Sequence, residues 1–355
     1  MNRRVAIKIG SNVLTRADGS INITRMSALV DEVVALRDEQ YEVVLISSGA
    51  VASGRSLLPL DKDRLDEVSS RQVFAAIGQV ALMNYYSKLF GSHSVVCGQV
   101  LTMKESFSDR GHYLNQKNCI EAMLSVGVLP IINENDTVSV TELMFTDNDE
   151  LSGLVATMLK VDMLVILSNV NGVFDGPPQD STSHLIRTVN PSEASIEQYI
   201  QNSRSTLGRG GMGTKQRIAR GVALQGIEVV VANGHKENIL TDIILHNGTL
   251  CTRFTPKGKV ASSVKRWLSQ SESFAKGEIH LNQGAIEALS CPGKATSLLP
   301  VGVVRIDGEF RKGDIVRIVG PGGNLFALGK SSVASKDVEA LNGRPLVHYD
   351  YLYIY

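Results

Sequence analysis

Short apolar runs rich in β-branched residues alternate with helical patterns over the first 250 residues, and this alternation constrains the fold most strongly. Between the first two runs, apolar residues from Met26 to Leu36 recur at helical spacing, and Asn22 and Thr24 are both candidate helix caps. The alternation predicts a doubly wound α/β domain with a mainly parallel sheet and a ligand at the carboxyl ends of its strands. The runs predicted as buried strands are Val5–Ile9, Val43–Ile46, Val128–Ile132, Met163–Leu167 and Ile227–Val231.

The pattern changes after Lys257, where a serine-punctuated polar stretch is followed by short strands and glycine turns. Three further strands are predicted, at Glu278–Leu281, Val301–Ile306 and Ile315–Val319, and a small β barrel is the simplest way to close them. The sequence therefore predicts a first domain over residues 1–260, a linker over 261–275 and a β-rich domain over 276–355.

Composition indicates which ligands the protein binds and where in the cell it is expected. Lys and Arg number 36, as do Asp and Glu, so the formal net charge is +0 and no global field attracts nucleic acid or anionic lipid. No apolar stretch approaches the roughly 18 residues of a membrane-spanning helix. The four cysteines are far apart and form no Cys-x-x-Cys pair, so the sequence predicts neither a zinc site nor a framework of disulfides. This favours a protein of the reducing cytoplasm.

Two candidate site segments follow the first two predicted strands. Lys8 closes a strand before Gly10, and it is either a ligand-facing cation or a solvated strand end. Residues 47–54, Ser-Ser-Gly-Ala-Val-Ala-Ser-Gly, open a helical pattern and would leave backbone N–H groups exposed to an anion. A plain strand-to-helix turn explains the second segment equally well when it is taken alone.

Two more segments carry dense polar or glycine-rich patterns. Carboxylates and amides are dense in two segments, Asn133-Glu134-Asn135-Asp136 and residues 145–150, and they could bind an ammonium group, Mg²⁺ or lysines. Capping of a helix would account for only one or two of these residues. The 208–215 stretch, Gly-Arg-Gly-Gly-Met-Gly-Thr-Lys, precedes a helical run over 215–225. Because no buried strand precedes it and Thr comes before Lys, it is not a Walker A loop, but its amides and lysine still favour phosphate binding.

In order, these motifs resemble the amino acid kinase family, and within it the members that phosphorylate glutamate. The tail resembles the PUA domain, and together the two resemblances cover nearly the whole chain. The kinase motifs are Lys8-Ile9-Gly10-Ser11, the 47–55 and 131–136 segments, Asp147-Asn148-Asp149 and the 210–215 segment; the PUA-like ones lie at 277–285, 297–302 and 310–314.

The resemblance implies an ATP-dependent phosphotransferase with a carboxyl group as acceptor. The γ-phosphoryl group of ATP would move, with Mg²⁺ present, to the side-chain carboxylate of L-glutamate, giving L-glutamyl 5-phosphate and ADP in the first step of proline biosynthesis. It also implies a homo-oligomer and feedback inhibition by proline.

The resemblance also implies residue roles. Lys8 and Lys215 would stabilise the transferring phosphoryl group, with Asp149 orienting both lysines. The residues that would hold glutamate are Ser48, Asp136 and Asn148. The residues that would contact ATP are Lys8, Ser168, Asn169, Arg209, Gly210, Gly211, Met212, Gly213, Thr214 and Lys215. Members of the family often carry Thr-Asp at the positions of Ser168-Asn169, and Thr and Ser at those of Arg209 and Gly213.

Two alternatives remain open at this point. A neighbouring amino acid kinase acting on acetylglutamate, aspartate or carbamate would share the lysines and the glycine-rich segment, although the 133–136 run and the PUA-like tail favour glutamate. An RNA-binding protein built around the tail is less favoured, because residues 276–355 hold nine Lys and Arg against eight Asp and Glu.

Overall fold

The computed structural model describes residues 3–59, 65–138, 148–177, 180, 182–192, 212–246, 248–257, 263–269, 271–291 and 295–355. The chain divides into two compact units. The first unit is Met1–Ser106 with Gly111–Lys259, and the second unit is Phe107–Arg110 with Val260–Tyr355. Among the described residues, no helix combines the length and the apolar character needed to cross a lipid bilayer.

The described strands of the first unit form one mainly parallel sheet, as the sequence predicts. Each of the five predicted strands is present to within two residues at either end. The strands are β1 Arg4–Ile9, β2 Glu42–Ser47, β3 Cys97–Thr102, β4 Leu129–Glu134, β5 Met163–Ser168, β6 Thr188–Val189, β7 Glu228–Asn233 and β8 Cys251–Phe254. Their order is β3-β4-β2-β1-β5-β7-β8-β6, and the β7–β8 pair is antiparallel.

Helices connect these strands. Asn22 caps α2 by accepting a hydrogen bond from the Arg25 N–H at 3.2 Å, which settles the choice between the two predicted caps. The helices are α1 Ser11–Leu14, α2 Ile23–Asp38, α3 Ala50–Leu57, α4 Glu67–Gly91, α5 Glu105–Ser108, α6 Arg110–Ser125, α7 Asn148–Leu159, α8 Met212–Ala223 and α9 Ile239–Thr241, the last followed by a π-helix over Asp242–His246. Buried apolar residues of β1, β2, α2 and α4 form the main core.

Two glycines let α3 and α4 pack in direct backbone contact. A Cβ atom at Gly54 would lie 1.9 Å from the Phe74 carbonyl oxygen, and one at Gly78 would lie 1.8 Å from that of Ala50. Because both positions are glycine, the backbones of α3 and α4 can approach this closely near the start of α3. The turn before α3, including Gly49 at φ +100°, is thereby fixed against α4.

The second unit holds a separate five-stranded sheet with its own apolar core. Its strands are β9 Gly277–Leu281, β10 Val303–Asp307, β11 Ile315–Val319, β12 Leu325–Lys330 and β13 Leu352–Ile354, in the order β10-β9-β11-β12-β13. Its helices are α10 Ser263–Ser269 and α11 Gln283–Ser290, with short 3₁₀ turns at Glu272–Phe274, Pro300–Gly302, Ser335–Asp337, Glu339–Leu341 and Tyr349–Tyr351. The pairs are antiparallel except β9–β11.

The segment predicted as a linker contains α10, whose Trp267 and Leu268 are buried. The Trp267 indole N–H donates to the Phe107 carbonyl oxygen at 2.6 Å. This segment therefore packs with the second unit, while the domain boundaries at 260 and 275 stay predictions.

Candidate active site

A cavity of about 430 Å³ lies at the carboxyl ends of β1, β2, β4 and β5. This is where a doubly wound sheet places its ligands, because the chain leaves adjacent strands in opposite directions there. Eight of the residues predicted to form the site line the cavity: Lys8, Ser48, Asp136, Asn148, Asp149, Ser168, Asn169 and Lys215. The structure thus brings together side chains that are more than 200 positions apart in sequence.

A buried carboxylate joins two lysines at the centre of the cavity. Asp149 Oδ1 lies 2.6 Å from Lys8 Nζ, and its Oδ2 lies 2.9 Å from Lys215 Nζ. The side chain of Asp149 is 1% exposed, and those of Lys8 and Lys215 are 7% and 11% exposed. Asp149 lies in the first turn of α7, where the helix dipole stabilises negative charge. The arrangement holds two ammonium groups side by side at the cavity wall.

The pKa of Asp149 reflects two opposing influences. Burial by itself raises the pKa of this carboxyl, because the charged form loses its hydration. The positive charges of Lys8 and Lys215, with their hydrogen bonds, outweigh burial and hold the pKa below its ordinary value. Asp149 is therefore ionised at neutral pH and orients both lysines as an anion.

A second group of polar side chains surrounds Ser48. The Asn148 side-chain N–H₂ donates to Ser48 Oγ at 2.7 Å and to the Ser47 carbonyl oxygen at 3.3 Å. It also lies 3.2 Å from Asn133 Oδ1, which accepts from the Glu134 N–H. The neighbouring Ser47 hydroxyl lies 2.9 Å from the hydroxyl of the buried Tyr86, which ties the end of β2 to α4. The predicted substrate residues Ser48 and Asn148 thus form one hydrogen-bonded group.

Asp136 is paired with an arginine that the sequence analysis missed. Arg71, in the first turns of α4, donates to Asp136 Oδ1 from its Nε at 3.1 Å and its Nη2 at 2.7 Å. The same Nη2 lies 3.9 Å from the Glu134 carboxylate, and both Arg71 and Glu134 line the cavity. This side of the cavity therefore offers a cation and carboxylates next to each other.

The residues predicted to contact a nucleotide are only partly described. Ser168 ends β5 and is 8% exposed, and the exposed Asn169 follows it; both line the cavity. Met212, Gly213 and Thr214 form the first turn of α8, which brings Lys215 to the cavity. Arg209, Gly210 and Gly211 lie outside the described residues, as does Asp147. The structure thus supports the position of Lys215 and leaves the glycine-rich segment before it as a prediction.

The geometry suits chemistry in which two anions meet. Two lysines on one carboxylate give a net positive charge on largely buried side chains, where electrostatic interactions are stronger than in bulk water. Asn148 and Ser48 provide polar contacts on one side, and Asp136 and Arg71 provide charged contacts on another. No histidine or cysteine is among the residues that line this cavity in the described part of the chain.

Two family profiles match the chain in succession. The profile of the amino acid kinase family matches residues 3–233, and that of the PUA domain matches residues 277–350. The first match covers more than half of the chain and contains every residue predicted to form the site. The second match falls within the second unit.

Relatives and solved structures agree with these matches. A glutamate 5-kinase of Bacteroides thetaiotaomicron is 53% identical, covering 99% of this chain and 98% of the relative. A glutamate 5-kinase of Chlorobaculum tepidum is 43% identical over 99% of this chain and 97% of the relative. The crystal structure of a carbamate kinase from Giardia lamblia, bound to AMP-PNP, covers 72% of this chain and 99% of its own with a TM-score of 0.54. At 17% identity, that likeness shows the fold alone.

Proposed function

The chain belongs to the amino acid kinase family, and on that premise we propose that it transfers the γ-phosphoryl group of ATP to the side-chain carboxylate of L-glutamate. The products are L-glutamyl 5-phosphate and ADP, and the reaction is the first step of proline biosynthesis. The near full-length similarity to two glutamate 5-kinases supports the acceptor. The observation that carries the chemistry is the pair of lysines held by Asp149.

The reaction needs charge stabilisation rather than a base. A glutamate side chain has an ordinary pKa of about 4.3, so its carboxylate is already ionised at pH 7. One carboxylate oxygen forms a bond to the γ-phosphorus, and the bond from that phosphorus to the β–γ bridging oxygen breaks, leaving the electron pair on ADP. Since negative charge accumulates as the two anions approach, Lys8 and Lys215 act by stabilising it, and Asp149 keeps both ammonium groups in place.

We assign the acceptor side of the cavity to glutamate. Glutamate carries two carboxylates and one ammonium group, so its site needs both signs of charge. Among the described contacts, Arg71 occupies Asp136 Oδ1, which leaves Oδ2 for the α-ammonium of the substrate. Arg71 supplies a positive charge beside it, which suits the α-carboxylate. Ser48 and Asn148 supply polar contacts between this pair and the lysines.

We assign ATP to the side of the cavity formed by Ser168, Asn169 and the start of α8. The N-terminal end of α8 carries partial positive charge, and Lys215 extends from its first turn. Met212, Gly213 and Thr214 lie in that turn, and the preceding Arg209, Gly210 and Gly211 complete the predicted phosphate contacts. The assignment places the γ-phosphoryl group between the nucleotide side and the glutamate side.

The described residues suit a Mg²⁺ ion that is carried mainly by the nucleotide. Both oxygens of Asp149 are engaged by lysines at 2.6 and 2.9 Å, so this carboxylate is not a ready metal ligand. Mg²⁺ in kinases keeps several waters and is commonly held by substrate phosphates with few protein groups. When bound, the ion would neutralise phosphate charge, and Lys8 and Lys215 would supply the remaining positive charge.

Trapping of the acyl phosphate tests the proposal directly. The purified chain would be incubated with ATP, Mg²⁺ and hydroxylamine, with glutamate, aspartate, N-acetylglutamate or carbamate as acceptor. We expect ATP-dependent hydroxamate with L-glutamate far above that with the other amino acids, and ADP release that depends on glutamate. Faster turnover of N-acetylglutamate, aspartate or carbamate than of glutamate would overturn the assignment of the acceptor.

Four further properties stay predictions. Inhibition by proline and assembly into a homo-oligomer are implied by the family resemblance. RNA binding by the second unit has little support from charge, because residues 276–355 hold nine Lys and Arg against eight Asp and Glu. The predicted cytoplasmic location also stays a prediction, and it agrees with the four cysteines being free thiols.

A further inference from the structure

A chain of side-chain amides links α4 to Ser48. Gln79, in the middle of α4, accepts through its Oε1 a hydrogen bond from Asn133 Nδ2 at 3.0 Å. Asn133 Oδ1 in turn accepts from Asn148 Nδ2 at 3.2 Å, and Asn148 Nδ2 donates to Ser48 Oγ at 2.7 Å. We name this chain, Gln79-Asn133-Asn148-Ser48, the amide relay. It runs from the helix packed behind the cavity to a hydroxyl in the cavity wall.

Backbone groups fix the direction of the relay. The Glu134 N–H donates to Asn133 at 2.9 Å, so the side-chain atom it meets must be the oxygen, and the Asn133 amide nitrogen must face Gln79. The Ser47 carbonyl oxygen lies 3.3 Å from Asn148, so the atom it meets must be the nitrogen. Each amide of the relay therefore has one orientation, and Gln79 must present its oxygen to Asn133.

We propose that Gln79 is a positioning residue that holds the amide relay, and with it the Ser48 hydroxyl, in the orientation that the backbone contacts define at the glutamate site. The inference rests on the proposed function and deepens it. Because Ser48 Oγ accepts from Asn148, the hydroxyl proton of Ser48 turns toward the cavity as a donor. A hydroxyl donor matches either oxygen of a carboxylate, whereas a carboxamide can accept through its one oxygen only. The relay therefore favours a carboxylate ligand at Ser48.

The side-chain nitrogen of Gln79 indicates that the residue has more than a structural role. Its Nε2 is buried and has no hydrogen-bond partner among the described residues. A buried donor without a partner destabilises the fold, so an apolar side chain of similar size would remove that penalty. Retention of a glutamine there fits a need for its oxygen opposite Asn133. Stability and substrate binding should consequently respond in different ways to substitution.

Three variants of the full chain separate these effects. Gln79→Met keeps the length of the side chain and removes the acceptor, whereas Gln79→Glu keeps an acceptor oxygen whether or not the new carboxyl is protonated. Asn84→Leu is the matched control, because it replaces an exposed amide of the same helix outside the relay. For each variant, kcat, the KM for glutamate, the KM for ATP and the urea midpoint would be measured.

We expect Gln79→Met to raise the KM for glutamate about three- to tenfold, the range that loss of one hydrogen bond produces. The KM for ATP should stay close to wild type, and the urea midpoint should not fall, because loss of the bond to Asn133 is offset by removal of the unpartnered Nε2. Gln79→Glu should retain most of the affinity for glutamate, and Asn84→Leu should match wild type throughout.

The proposal fails if Gln79→Met leaves the KM for glutamate unchanged, or if it raises the KM for ATP by the same factor. It also fails if Gln79→Glu loses affinity for glutamate as Gln79→Met does, since packing and not polarity would then be responsible. These outcomes compare variants that turn over glutamate. Absence of glutamate turnover in the wild-type chain would instead refute the proposed function.

Discussion

The two units of the chain place their charges in opposite ways. The buried charged side chains of the described structure all belong to the first unit: Lys8, Arg25, Glu32, Glu134, Asp136 and Asp149. In the second unit every ionic partner among the described pairs is at least 20% exposed, and the pair Arg305–Asp307 is 63% and 45% exposed. Ion pairs at a protein surface contribute little to stability, whereas buried charge is unfavourable unless it is paired.

This difference shows where burial of charge serves a reaction and where it serves structure. Lys8 and Asp149 face the cavity, and their burial strengthens the electrostatic effect on a bound anion. Arg25 and Glu32 are buried away from the cavity, and they join α2 to the end of β7 and to α9 respectively. Arg25 Nε donates to the Gly234 carbonyl oxygen, and Glu32 accepts from the Leu240 N–H, each at 2.5 Å. Burial of charge therefore indicates function only where the charge also lines a cavity.

The largest expected effect is on the stability of the first unit in Asp149→Asn. Removing one partner of a buried ion pair typically destabilises a protein by about 3–5 kcal/mol, since the remaining charges stay buried. The urea midpoint followed by circular dichroism should fall at pH 7. The single tryptophan, Trp267, lies in the second unit, so the transition followed by its fluorescence should move less. A fall in the fluorescence transition alone would contradict the comparison.

The stability effect of Asp149 should also depend on pH. The two lysines lower the folded-state pKa of Asp149 despite its burial. A carboxyl with a lowered folded pKa stabilises the fold fully above its unfolded pKa of about 3.9 and loses this contribution as the pH falls through the folded value. The difference between wild type and Asp149→Asn should therefore be full at pH 7 and shrink below about pH 4. A difference that grows on acidification would reverse the assigned direction.

The next effect in size is on catalysis in Lys8→Ala and Lys215→Ala. Each variant removes a positive charge from the place where negative charge moves, and loss of one such group typically lowers kcat about 10²- to 10³-fold. Lys312→Ala, at an exposed position of the second unit, is the matched control and should leave kcat unchanged. Near-normal kcat in either cavity variant at saturating ATP and glutamate would remove that lysine from the mechanism.

Much of the fold is predictable from sequence because buried parallel strands are apolar on both faces. Continuous runs such as Val5–Ile9 therefore mark β1, β2, β4, β5 and β7. The edge strand β3, Cys97–Thr102, has no such run, because Gly98 and Gln99 interrupt its apolar residues. The short β8 was also missed, because its four residues carry neither a clear alternation nor a long apolar stretch.

The site is predictable where its residues end a strand or begin a helix, as Asn148, Asp149 and Lys215 do. The polar residues after β1, β2 and β4 meet at one edge of a parallel sheet, which is why Lys8, Ser48 and Asp136 line one cavity. Arg71 and Gln79 lie inside α4 and resemble ordinary polar helix residues in sequence. Their contacts span 65 and 54 positions, to Asp136 and Asn133, so no local pattern announces them.

A smaller effect is expected for Asp136→Asn. Loss of the carboxylate charge weakens an interaction with the substrate ammonium, and hydrogen bonds to charged groups contribute about 1.5–3 kcal/mol, or about tenfold or more in affinity. The KM for glutamate should rise by that factor, with a smaller change in the KM for ATP. If proline binds the same pocket, its inhibition should weaken in parallel. An unchanged KM for glutamate with a raised KM for ATP would move Asp136 to the nucleotide side.

The smallest effect is expected for Arg305→Ala in the second unit. Arg305 Nη2 lies 2.6 Å from Asp307 Oδ2, but the pair is exposed, so water and salt compete with it. Turnover of glutamate should stay at the wild-type value, and any small shift of the fluorescence-detected urea midpoint should vanish at high salt. The shift of the circular dichroism midpoint in Asp149→Asn should persist at the same salt, because the ions cannot enter a site where the carboxylate is 1% exposed. If the two shifts respond equally to salt, the difference in burial between the units does not govern their electrostatics, and the lysines around Asp149 act as ordinary surface charges.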